Sequence, residues 1–202
     1  IKEYLFEGLQ DNNHRIRSQC AKILGQKGDE MIIFPLLQTM GDDSWAIRKS
    51  AQEALKHMSE EKVLPALSGI IKSSSGNLGL MKSLSSVLSE FESPDASSLL
   101  VQLLQNTDNP ALIESITRSL GRKEDELSFT HLFHLLANDQ WTVRKTASTA
   151  IAQISFDKIK SRLKKELSNP NRFIHLAVVE ILIAKGDEDV IDLMADSLDS
   201  NN

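Results

Sequence analysis

Apolar residues recur along the chain at helical spacing, in short runs separated by polar turns. Ile33, Leu36, Leu37 and Met40 form one stripe, Gly41-Asp42-Asp43-Ser44 interrupts it, and Ile47, Ala51, Ala54, Leu55 and Met58 resume it. Leu132, Phe133, Leu135 and Leu136 likewise give way to Asn138-Asp139-Gln140, followed by Val143, Ala147, Ala150, Ile151 and Ile154. Steps of three and four place such side chains on one face of a helix, so each stretch predicts two helices joined by a polar turn. The first apolar anchor of the second helix returns as Ile16, Ile47, Leu80, Leu112, Val143 and Ile174, with gaps of 31, 33, 32, 31 and 31 residues. A period in this range means stacked helical hairpins.

Independent landmarks keep the same register. Trp45 and Trp141 lie 96 residues apart, as do Leu24-Gly25 and Leu120-Gly121, and Gly28-Asp29-Glu30 returns as Gly186-Asp187-Glu188. Three residues before the anchors stand Asn13, Ser44, Asn77, Asn109, Gln140 and Asn171. All but Gln140 are favoured N-caps, whose side chains accept from the free N–H groups of a first helical turn. Pro110 after Asn109 suits a first helical position. Charged turns such as Glu60-Glu61-Lys62, Ser93-Pro94-Asp95 and Glu124-Asp125-Glu126 separate the units. Ser73-Ser74-Ser75-Gly76-Asn77 predicts the longest irregular loop, inside one array.

The expectation is one all-α array over 1–202, with units at about 1–28, 29–60, 61–93, 94–125, 126–156 and 157–186 and a partial unit at 187–202. The partial unit is one extra helix, Val190 to Leu198. Neither end carries the polar cap a solenoid needs, which points to a piece of a longer protein. The sixth unit agrees: Ile174, Leu176, Val178, Val179, Ile181, Leu182 and Ile183 are apolar nearly all round, and such a helix wants cover on several sides.

Composition narrows the function. The formal charge is −5, which argues against strong non-specific binding to nucleic acid or an anionic membrane. No apolar run is long enough to span a bilayer. A single cysteine, Cys20, excludes an intramolecular disulfide framework and fits a reducing compartment, so the expected location is the cytoplasm. No phosphate loop or nucleophile elbow is present. His131 and His134 could share one ion, but two ligands do not make a site, so neither metal nor cofactor is expected.

Asp42-Asp43-Ser44-Trp45-Ala46-Ile47-Arg48-Lys49-Ser50-Ala51 resembles a HEAT repeat, as does Asn138-Asp139-Gln140-Trp141-Thr142-Val143-Arg144-Lys145-Thr146-Ala147. Both are most similar to the short bacterial type also found in phycobilisome lyases, and 11–20 is a third good match. The resemblance implies a right-handed α–α superhelix, a HEAT-like solenoid of about six hairpins, with first helices convex and second helices concave. It also implies a structural ladder in which Arg17, Arg48 and Arg144 pair with Asp11, Asp42 or Asp43, and Asp139. Met81 and Ile113 stand at the arginine position in the third and fourth units and would break that ladder.

The candidate partner-binding surface is the concave row of Lys49, Lys82 and Lys145, with Arg118 beside it and Met81 and Ile113 as apolar contacts. Glu114 interrupts the row and Glu53 and Glu180 flank it, so a solvated mixed-charge face is the competing and favoured account of the lysines. Trp45 and Trp141 are expected to pack against neighbouring units, and Cys20 to be an inert core thiol. The expected function is a non-catalytic scaffold for another protein, or for another domain of the same longer chain. The resemblance leaves two alternatives: a lyase-type or chaperone subunit related to phycobilisome lyases, and a HEAT-like DNA glycosylase. The first lacks an identifiable pigment site, and the overall charge opposes the second.

Overall fold

The computed structural model describes residues 2–26, 30–73 and 77–186. Twelve α-helices and one 3-10 turn, Glu30–Ile32, make up the regular structure of these residues, with no strand among them. In chain order the helices are α1 (Lys2–Gly8), α2 (His14–Gly25), α3 (Ile33–Thr39), α4 (Trp45–Lys56), α5 (Glu60–Ser73) and α6 (Leu78–Leu88). They continue as α7 (Pro94–Gln105), α8 (Pro110–Gly121), α9 (Glu126–Leu135), α10 (Trp141–Gln153), α11 (Phe156–Glu166) and α12 (Arg172–Lys185). The Gly28-Asp29 turn, Ser74-Ser75-Gly76, Asp187-Glu188 and the expected helix Val190 to Leu198 lie outside the described residues.

The chain divides into two compact units, Ile1–Thr107 and Asp108–Asn202. In the first, α2, α4 and α6 pack side by side, and α3, α5 and α7 form a second layer. In the second, α10 packs between α8 and α12, with α9 behind α8 and α10, and α11 behind α12. Two layers of antiparallel-pattern helices around a thin apolar seam are the construction of an α-solenoid.

Local chemistry explains the elements. Helix α4 buries Ile47, Ala51, Ala54 and Leu55, which follow the helical step, while Lys49 and Glu53 stay in solvent. Ile47 and Leu55 are fully buried, and each such side chain contributes about 1.5–3 kcal/mol. The alanines keep that face narrow, so neighbouring helices approach closely. Asn13, Asn77, Asn109 and Asn171 cap α2, α6, α8 and α12 through their side-chain oxygens. Ser44, expected to cap α4, makes no such bond.

A second polar device repeats ahead of these caps. The side-chain oxygens of Asp11, Asp42, Asn138 and Asn169 accept from the N–H two residues on, at 2.7, 2.8, 3.0 and 2.9 Å. Each Asx turn fixes the direction in which the chain approaches a second helix. Gly186 ends α12 in the left-handed conformation, at φ 59°, which glycine adopts without steric cost.

Helix α12 buries Ile174, Val178, Ile181 and Leu182 against its own unit. Phe173, Leu176 and Ile183 remain exposed on its other side, and Val179 is half-buried.

Candidate functional site

Second helices meet at two closely matched seams. In the first unit Gly25 of α2 lies over Ala54 of α4; a Cβ on Gly25 would stand 2.3 Å from the Ala54 Cβ and 2.8 Å from its Cα. In the second unit Gly121 of α8 lies over Ala150 of α10, where a Cβ would stand 2.7 Å from the Ala150 Cβ. The glycines are 96 residues apart, and so are the alanines. Only a residue without a side chain admits such approach.

An open groove lies beside each contact. The α2/α4 groove, about 510 Å³, is walled by Lys22, Gln26, Ser50, Glu53 and His57 around Ala54. The α8/α10 groove, about 430 Å³, is walled by Arg118, Arg122, Lys145, Thr146, Thr149 and Gln153 around Ala150. Most of these residues are repeat equivalents, shifted by 96. Lys22 answers to Arg118, Gln26 to Arg122, Ser50 to Thr146, Glu53 to Thr149 and His57 to Gln153. Sequence reasoning singled out Arg118 and Lys145, which the fold brings to one groove, and missed Arg122 and Thr149. The recurring Leu-Gly pair was the signal that could have found them, because it marks the floor.

Each seam also carries a tryptophan–lysine pair. Trp45 and Trp141 are 64% and 60% exposed, so the expected packing against neighbouring units is incorrect. Each ring begins its helix on the solvent side, and the lysine one turn later covers it. Lys49 Nζ lies 5.1 Å from the Trp45 ring and Lys145 Nζ 4.9 Å from the Trp141 ring. Lys49, Arg118 and Lys145 are exposed and Lys82 is half-buried.

Met81 and Ile113 are corrected in the opposite sense: they are 7% and 8% exposed and form no surface patch. Their position, one residue after the anchor, turns into the helix packing instead of the open face. Ile113 is the 96-residue equivalent of Arg17, whose side chain also lies along the seam rather than in solvent.

Arg17 shows what that position does when it is charged. Its Nε donates to Asp42 Oδ2 at 2.7 Å and its Nη2 to Oδ1 at 3.2 Å, while Nη1 donates to the Asp11 carbonyl at 2.7 Å. The two-point pairing raises the arginine pKa, chiefly through the Asp42 hydrogen bond and against the pull of burial. For Asp42, burial alone would raise the pKa. The bonds from Arg17 and the Ser44 N–H, with the charges of Arg17 and Arg48, outweigh it and hold the carboxyl below the usual carboxylate range.

Arg48 and Arg144 bind differently. Arg48 donates to the carbonyls of Asp42 and Asp43 at 2.7 and 2.8 Å, and Arg144 to those of Asn138 and Asp139 at 2.7 and 2.9 Å. They clamp the backbone of their own turns rather than a carboxylate. In the sixth unit the position matching Asp42 is Asn169, which is neutral, and Arg144 instead lies 4.5 Å from the Phe173 ring.

A larger cavity, about 820 Å³, lies elsewhere, between α5 and α7 on the first-helix layer. Glu60 on its wall already accepts from the N–H groups of Glu92 and Ser93 at 2.7 and 3.0 Å, so part of its polarity closes the turn before α7. The second-helix grooves have the stronger claim, because their construction occurs twice in one register. His131 Nδ1 is engaged with the Leu127 carbonyl at 3.0 Å. No group of three or more His, Cys, Asp or Glu among the described residues is placed to hold a metal ion. Cys20 is buried and free, and burial, with the charge of Asp11, raises its pKa.

The family model for HEAT repeats matches residues 3–78. No curated protein matches the sequence. Among solved structures, the chain is similar to the YibA protein of Escherichia coli. Identity is 17% and the TM-score 0.51, with 96% of this chain and 74% of that one covered. It is also similar to an archaeal HEAT-like repeats protein from Thermococcus onnurineus, at 15% identity and a TM-score of 0.42, covering 91% and 80% of the two chains. A third is the CpcE–CpcF complex of phycocyanin lyase from Nostoc, at 16% identity and a TM-score of 0.40, covering 99% and 94%. The match to HEAT repeats thus covers residues 3–78, and structural identities of this size speak for the fold alone. Among the described residues, no helix is long and apolar enough to cross a membrane.

Proposed function

We propose that the chain is a non-catalytic scaffold: one HEAT-like array that holds a partner protein, or another domain of a longer chain, against its second helices. The observation that carries this reading is the duplication, once in each compact unit, of a groove over the same Gly/Ala contact and of an exposed Trp–Lys pair at the start of the later helix. An exposed tryptophan beside a cation is costly to leave idle in solvent, and aromatic and arginine side chains are the usual anchors of protein interfaces. The helical scaffold fixes these groups without needing a moving part. The thiol of Cys20, buried and unpaired, suits a cytoplasmic setting.

The test is site-resolved photo-crosslinking in the intact protein in its native cells. A photoreactive residue is placed at Ser50 and Thr149 on the second helices, and at the exposed Phe34 of α3 and Lys165 of α11 on the first-helix layer. Partner adducts are expected at Ser50 and Thr149 and not at Phe34 or Lys165. Adducts confined to the first-helix positions would overturn the reading.

A further inference from the structure

The two grooves share a floor and differ in charge. The α2/α4 walls balance Lys22 against Glu53. The α8/α10 walls carry Arg118, Arg122 and Lys145 and no carboxylate. The position filled by Glu53 in one is filled by Thr149 in the other. We propose that the α8/α10 groove is a binding site for an acidic segment of a partner protein, its carboxylates held by Arg118, Arg122 and Lys145. This rests on the scaffold reading and names the partner's chemistry.

Three observations carry it. Three cations converge on one concave space of about 430 Å³, enough for a few side chains. Two are arginines, whose planar forks bind carboxylates at two points. Thr146 and Thr149 turn their hydroxyls to the carbonyls of Thr142 and Lys145, at 2.8 and 2.9 Å, so the charge of the walls comes from the arginines and the lysine. Charge complementarity therefore selects an anion. The choice between an acidic peptide and a nucleic acid follows from the whole chain. Its formal charge of −5 repels a polyanion with one charge per ~1.7 Å of duplex far more than a short peptide of spaced carboxylates. The exposed Trp141 beside Lys145 adds an aromatic face for an apolar neighbour of those carboxylates.

The experiment uses the full chain and a fluorescein-labelled hexaglutamate peptide, read by fluorescence anisotropy at low salt. Hexaglutamine and a twelve-base-pair DNA duplex serve as competing probes. Hexaglutamate is expected to bind more tightly than either. Thr149→Glu, which copies the charge of the other groove at an exposed position, should weaken it by about tenfold through like-charge repulsion at close range. Thr149→Gln, of similar size, should leave the affinity within about twofold, and circular dichroism of both variants checks that the helices persist. Unchanged affinity in Thr149→Glu overturns the proposal, as does tighter binding of the oligonucleotide. Crosslinks at Ser50 and Thr149 would survive such a failure, which separates it from failure of the scaffold reading.

Discussion

The α2/α4 and α8/α10 seams are two solutions to one packing problem. Both bring a glycine onto an alanine, and both start the later helix with a tryptophan that a lysine covers. They part at the base and at the walls. The base of the first is the ion pair of Arg17 and Asp42; the equivalent residues of the second are Ile113, buried, and Asn138. The walls of the first are of mixed charge and those of the second are basic. The backbone approach tolerates no extra atom, so the floor has few solutions. The base needs only that its groups be mutually satisfied, by charge pairing or by apolar burial. The walls face water, where substitutions cost little stability, so they are free to carry specificity.

The largest expected effect is on the floor. Gly25→Ala forces backbone atoms of α4 to retreat, because the new Cβ meets both the Cβ and the Cα of Ala54. The expected loss is about 2 kcal/mol, in the range of overpacked cores. Gly121→Ala has more room, with the Ala150 Cα at 3.5 Å, and should lose about 1 kcal/mol less. Denaturant unfolding of the two variants orders them, and a larger loss at Gly121 would break the comparison.

Next come the walls. Glu53→Thr makes the first groove resemble the second, and it should raise affinity for hexaglutamate there with little change in stability, since Glu53 is exposed. Anisotropy titration of a Thr149→Glu, Glu53→Thr double variant should recover only a small part of the lost binding, because the first groove has Lys22 where the second has Arg118, Arg122 and Lys145. Full recovery would show that the arginines are not what distinguishes the two walls.

The caps sharpen what the seams share. Asn13 and Asn109 stand 96 residues apart and each accepts a first-turn N–H, at 3.0 and 3.2 Å. Asn13→Ala and Asn109→Ala should each cost about 1 kcal/mol in denaturant unfolding. A cost at one and none at the other would show that the starts of α2 and α8 are not equivalent.

The smallest effect is at the base and depends on pH. Asp42→Asn keeps the Asx turn, as Asn138 does, and removes the charge pair. Because the folded pKa of Asp42 lies below its unfolded value, its contribution is complete above that unfolded value, near ~4, and disappears as pH falls through the folded one. The wild-type chain should therefore melt about one degree above Asp42→Asn at neutral pH, and the two should converge in acid below ~4. A gap that persists in acid would mean that the pair is not its source.

Much of the fold was legible because it is local. Helical stripes and asparagine caps are read within one hairpin, and the 31–33-residue spacing from their return. The site was legible only in part. Lys49, Lys145 and Arg118 lie on the open side. Met81, Ile113, Trp45 and Trp141 were assigned to the wrong side of the surface. In a layer of thin helices, the face that is open depends on where the neighbouring helix lies, and a single-helix pattern does not contain that information. The arginines make the same point. The motif Arg is the same in three units, yet it reaches a carboxylate only where the next turn supplies Asp42.

By itself the sequence determined the hairpin period, the all-helical class and the four asparagine caps, because helices and caps follow from contacts within about ten residues. It also held the 96-residue correspondence of Gly25 with Gly121, without its meaning. Tertiary structure decided that these glycines are floors of helix contacts, that the tryptophans remain in solvent under their lysines, and that one groove is basic while its equivalent is balanced. The physical reason is distance along the chain: each groove is made by helices about 30 residues apart, and their joint charge and space exist only after they pack.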